Sequence, residues 1–252
     1  MKKSEIARQY DEKATLLFIA AAAALTINSL LNNILSAFSV PKAFNYVIQF
    51  LTVVFILFAY AVTIKGFGFV NKACKLSETN ENFYMGKNLM VFSVLSLVFT
   101  MIFELIILVL YPILYKYSSA ESLTPADLQA ANNIKVLTAI MLIAAQLTAI
   151  AVPYIFYLWR IHKNTPKTDS INNFALLTML VLIVQLAIGI LNALYTIKGA
   201  QTSFLSHFSD ILLTGKYAVL LLFFIARRKS LLAAAEPNDG PATQELTDTD
   251  EQ

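Results

Sequence analysis

Apolar residues fall in six long runs separated by polar segments, at about 14–38, 43–64, 88–115, 136–159, 174–197 and 204–226. Each is longer than the roughly 18 residues that cross a hydrocarbon core as a helix. The pattern predicts an all-α fold: an integral membrane bundle of six transmembrane helices in one domain, 14–229. A polar, basic segment, 1–13, precedes it. The stretch 230–252 has six acids, no base and two prolines. Such a composition predicts a disordered tail.

Local signals refine the elements. Ala20–Ala24 is a run of small residues that lets another helix approach closely. Thr26, Ser29, Asn33 and Ser36 recur at helical spacing and form one polar stripe. Val40-Pro41-Lys42 predicts a tight turn, and 65–87 a polar loop with four lysines. Thr124-Pro125-Ala126-Asp127 has the order of a helix start: a hydroxyl cap, a proline in the first turn, then an acid. It predicts a short surface helix before the fourth span. Pro153 predicts a kink within that span, and 160–173 a short basic loop. Tyr46, Tyr111, Tyr115, Tyr157, Trp159 and Tyr195 lie near span ends and predict an interfacial aromatic belt.

Charge sets the orientation. Lys2, Lys3, Arg8, Lys13, Lys65, Lys72, Lys75, Lys87, Arg160, Lys163, Lys167, Arg227, Arg228 and Lys229 fall on one side of the six-span arrangement. The other side has only Lys42, Lys116, Lys135 and Lys198. Fourteen against four predicts that both termini are cytoplasmic. Only 14% of the 252 residues are charged, against about 25% in soluble domains. The first run has no cleavage-site context and is read as a retained helix. The chain has no Asn-x-Ser/Thr acceptor, which fits a plasma membrane of the bacterial inner-membrane type. Cys74 is the only cysteine, so no disulfide forms within the chain.

Two charges fall at membrane depth: Glu104 in the third run and Lys216 in the sixth. Each costs at least ~2.5–3.5 kcal/mol on insertion scales. Lys216 lies eleven residues before Arg227, about 16 Å along a helix and near the midplane. If spans three and six touch, Glu104 and Lys216 can pair. Ser93, Ser96, Thr100 and Glu104 share a helical face. Ser29, Asn32, Asn33, Asn192 and Asp210 fall in the outer half, and Gln146 and Gln185 near the middle. Together with Thr100 they are the candidate lining of a polar cavity open to the outside.

The expected function is a transporter, permease-like protein or channel subunit, with Glu104 and Lys216 on the path of an ion, proton or substrate. The alternative is a non-catalytic subunit or scaffold of a larger membrane complex. No nucleophile–base pair, zinc motif or phosphate loop appears, so a membrane enzyme acting on lipid-like substrates is the weakest of the three readings. His162 and His207 fall on opposite faces and cannot share a metal or haem. No cofactor and no nucleic acid are expected. The expected partners are the lipid bilayer and other membrane proteins or copies of the chain.

Overall fold

The computed structural model describes residues 3–37, 42–76, 80–118, 124–197 and 203–233, with some side chains inside these helices excepted. The described chain is helical: α1 (Lys3–Ala37), α2 (Lys42–Leu76), α3 (Asn80–Ser118), α4 (Pro125–Thr148), α5 (Ala151–Asn164), α6 (Ser170–Ile197) and α7 (Ser203–Ala233). Five rods are long and apolar enough to cross a bilayer: Lys3–Ile34, Phe50–Leu76, Gly86–Phe103, the α4–α5 pair over Pro125–Asn164, and Ser170–Tyr195. Their outward faces carry large apolar side chains such as Phe50, Phe99 and Leu177, as contact with lipid requires. The molecule is a helical membrane bundle. α7 differs from the five: Lys216 interrupts its apolar stretch, which ends at Arg227, Arg228 and Lys229.

Each rod packs against its neighbours in chain order. α1 touches α2, α2 touches α3, α3 touches the α4–α5 pair, that pair touches α6, and α6 touches α7. α7 then returns to α1, so the bundle closes into a ring. Successive rods run in opposite directions. The start of α1 and the ends of α2, α5 and α7 therefore meet at one end of the bundle, where Arg8, Cys74, Arg160 and Arg227 come together. We call this the basic end.

The ring explains where the apolar pattern misplaced element ends. α1 continues through the polar segment 1–13, from Lys3 onward. There Asp11 pairs with Arg227 at 3.4 Å and Glu12 with Arg228 at 3.9 Å. The expected loop 65–87 is largely helix: α2 runs to Leu76 and α3 starts at Asn80. Phe67, Val70 and Cys74 recur on one face there and are buried among the neighbouring rods. Lysines between them mark the opposite face of a helix leaving the membrane, not the end of a helix. Asn71 and Gly86 fit closely, since a Cβ on Gly86 would stand 2.8 Å from the Asn71 Cα.

Other expectations hold. Ala21, Ala22 and Ala24 are buried, so α1 lies close to its neighbours. Thr124 and Asp127 form a capping box: the Asp127 amide donates to the Thr124 hydroxyl at 3.2 Å and the Thr124 amide to Asp127 Oδ2 at 3.1 Å. The helix it starts is α4 itself, which continues unbroken into the fourth apolar run and leaves no separate surface helix.

The kink expected at Pro153 is a full interruption. Proline has no N–H for the carbonyl four residues back and its ring crowds that carbonyl. Ala149 accordingly leaves helical space, with ψ at 152°. The Val152 amide turns to Ala149 O at 3.0 Å, and the Thr148 carbonyl takes a hydrogen bond from the Ser96 hydroxyl on α3. The neighbouring helix thus satisfies a backbone group that the break sets free. At the basic end, Asn172 Nδ2 closes α5 by donating to His162 O at 3.0 Å and Thr165 O at 2.6 Å. Asp169 Oδ1 caps α6 by accepting from the Ile171 amide at 2.9 Å.

The Val40-Pro41-Lys42 turn falls mainly on residues outside those described, as does the tail from 234 onward. The side chains of Gln49, Glu104, His207 and Asp210 also lie outside them.

Candidate functional site

A plug of aromatic rings fills the ring of helices near its basic end. Phe18 of α1 stands at its centre, with ring centroids 4.9 Å from Phe67, 5.5 Å from Tyr154, 5.3 Å from Tyr157 and 5.1 Å from Phe224. Five rings from four helices are thus in mutual contact and shut off from solvent. Gly66 makes the seat, because any Cβ there would overlap the Phe18 ring. Tyr157, expected in the interfacial belt, is instead part of this plug and buried. Its position near a span end faces the interior of the ring, which spacing along the chain does not reveal. Trp159 and Tyr195 face outward.

Beyond the plug the interior turns polar. Tyr154 and Thr63 share a hydrogen bond of 2.7 Å across α5 and α2. Tyr60 of α2 bonds Thr100 at 2.8 Å and Ser96 at 3.3 Å, both on α3. The face of Ser93, Ser96 and Thr100 therefore turns inward.

Lys216 of α7 is also buried in the interior. Its side chain is 2% exposed. Its ammonium donates to Gln185 Oε1 of α6 at 2.6 Å and stands 4.7 Å from the centre of the Tyr217 ring. Among the described residues no carboxylate lies within ion-pair distance of it. α7 packs on α1 and α6, while α3 packs on α2, α4 and α5. Gln185, a neutral amide with a strong dipole, is the partner of Lys216 among the described residues, while the side chain of Glu104, the expected partner, lies outside them.

Further toward the far end, Ser29 and Thr214 share a 2.6 Å bond, and Asn33 Nδ2 donates to Thr214 at 2.9 Å. Asn32 takes a long 3.4 Å bond from Thr52 and donates to Asn28 at 3.5 Å. The structure thus gathers Ser29, Asn32 and Asn33 on the α1 side and Thr100 on the α3 side. Gln146 packs on the backbone of Gly189, where a Cβ would come within 2.9 Å of its amide. Asn192 is half-buried one turn beyond.

Sequence reasoning missed the basic end. Arg160 Nη2 donates to Cys74 Sγ at 2.8 Å, joining two residues assigned to separate loops. The signal was present in the buried spacing of Phe67, Val70 and Cys74, which continues the helix.

Compared with known proteins, the chain matches no family model, no curated protein and no solved structure.

Proposed function

We propose that this protein is a multi-pass membrane transporter or channel-like permease, whose polar interior around Lys216 forms part of the route. Under this reading α7 is the sixth crossing, and both termini lie on the cytoplasmic side of a plasma membrane. The positive-inside distribution supports that orientation, and it puts the aromatic plug on the cytoplasmic side of Lys216. Glu104, four residues beyond Thr100 on α3, is the second charge assigned to the route.

The observation that carries the reading is a buried lysine held by an amide at 2.6 Å. A charge at this depth is expensive, and a structural role would be filled more cheaply by an apolar side chain. The break at Ala149–Ile150 supports the same reading. It lies about 15 Å from Arg160 along the helix, at a depth similar to that of Lys216, and interrupted helices near the midplane are where transporters place their sites.

A second reading, a non-catalytic subunit or scaffold, draws support from Ser29, Asn33 and Thr214. Their bonds tie α1 to α7 as polar groups do between membrane helices.

Accessibility separates the two without knowledge of the solute. In a Cys74→Ala background, Ser29→Cys and Thr214→Cys are exposed to a membrane-impermeant maleimide from each face in turn. Transport predicts labelling from the face opposite Arg227. Absence of labelling from both faces, in protein that stays monodisperse, overturns it and favours the scaffold.

A further inference from the structure

A cleft of about 450 Å³ opens at the basic end, below the aromatic plug, where α1, α2, α5 and α7 meet. Its volume is in the range of small-molecule sites. Tyr157 lines it on the plug side, and Asn164 and Thr165 border it at the end of α5. Three guanidinium groups line it, from Arg8, Arg160 and Arg227, against one described carboxylate, Asp11.

That carboxylate does not exhaust the donors. Asp11 meets one nitrogen of Arg227 at 3.4 Å, longer than the roughly 2.7–2.9 Å of a tight charged hydrogen bond. Arg227 Nε is buried and makes no hydrogen bond of ordinary geometry to a described residue, the Tyr157 hydroxyl beside this side chain being its one neutral neighbour of note. Arg160 uses Nη2 on the Cys74 sulfur, a weak acceptor, while its Nη1 is buried and equally unmatched. Buried charged donors without acceptors are costly. Here two of them converge on one cleft at the basic end of the bundle.

We propose that this cleft binds a phosphate-bearing anion. Arg160 and Arg227 bring their guanidinium groups to one cleft from α5 and α7, with Asp11 set on the Arg227 side. Guanidinium groups offer the forked donors that phosphate oxygens accept in pairs. The phosphate belongs either to a soluble small molecule or to the headgroup of an anionic lipid, since both present the same oxygens. The site stands whether or not the interior around Lys216 conducts anything.

The test uses the full-length protein and two probes at constant ionic strength. Inorganic phosphate is titrated against the detergent-solubilised protein, with thermal stability as the readout. In parallel, nanodiscs of phosphatidylcholine alone are compared with nanodiscs containing phosphatidylglycerol. Saturable stabilisation by phosphate assigns the site to a soluble anion, and stabilisation by phosphatidylglycerol alone assigns it to a lipid. Arg160→Gln is expected to weaken the effective probe at least about tenfold. Asn164→Asp, at an exposed position on the rim, adds a repelling charge without removing a packed group and is expected to do the same. Failure of both probes, or unchanged affinity in both variants, overturns the proposal.

Discussion

Lys216 and Gln185 meet across α7 and α6 at 2.6 Å, an ammonium held by a neutral amide inside a ring of apolar helices. Gln185→Leu removes the acceptor and keeps the bulk. We expect a loss of roughly 1–3 kcal/mol, the usual cost of a buried donor left without a partner. Adding Lys216→Met to that variant should recover most of the loss, because the stranded charge is gone. Unfolding in mixed detergent measures both. Strict additivity of the two substitutions would show that the residues do not interact.

The break between α4 and α5 links Pro153 to Ser96. In the native chain Ser96→Ala strands the Thr148 carbonyl, at a cost of about 1 kcal/mol. With Pro153→Ala the helix can run on, and the Val152 amide can serve Thr148 directly. The serine should then contribute little. Equal losses from Ser96→Ala in the two backgrounds would refute this account of the break.

Gly66 and Gly68 stand one residue apart but face different surroundings. A methyl group at Gly66 collides with the Phe18 ring at the centre of the plug, whereas one at Gly68 meets only Met90 Sδ at 3.9 Å. Gly66→Ala is therefore expected to cost about 1–3 kcal/mol through overpacking. Gly68→Ala should be neutral or slightly stabilising, since alanine favours the helix. Thermal unfolding of the pair distinguishes them, and equal melting points would mean that the plug is absent.

Closure of the ring predicts a cross-link. Ser29→Cys and Thr214→Cys, combined with Cys74→Ala, place two thiols where hydroxyls now lie 2.6 Å apart. Mild oxidation should join them in good yield, seen as a gel shift that a reductant reverses. Cleavage of a loop between α1 and α7 should then leave the fragments attached. Two separate fragments after oxidation would place α1 and α7 apart.

Much of the architecture was legible because the bilayer forces long apolar runs to be helices. The small residues of α1, the Thr124 cap and the effect of Pro153 were readable for the same reason: each acts through its own backbone or its own helix. Helix ends were harder. Lys65, Lys72 and Lys75 resemble a loop when counted as charges, yet the buried face between them continues α2 beyond the hydrocarbon. The partner of Lys216 depends on which helices touch. The ring order puts α6 beside α7, so Gln185 is the near neighbour, and no count along the chain shows that. Arg160 and Cys74 met for the same reason, from elements 86 positions apart.

The ring also bears on how the protein is made. Nearly every helix contact joins consecutive segments, so α1 to α6 can assemble pairwise as they emerge from the ribosome. Under the proposed six-span topology α7 is the exception, because the insertion machinery must pass a lysine into the bilayer. It can be retained there only once α6 offers an amide and α1 offers a polar flank. Biogenesis therefore has a late checkpoint, in which the last helix is admitted by a nearly finished fold and premature chains remain open along one seam.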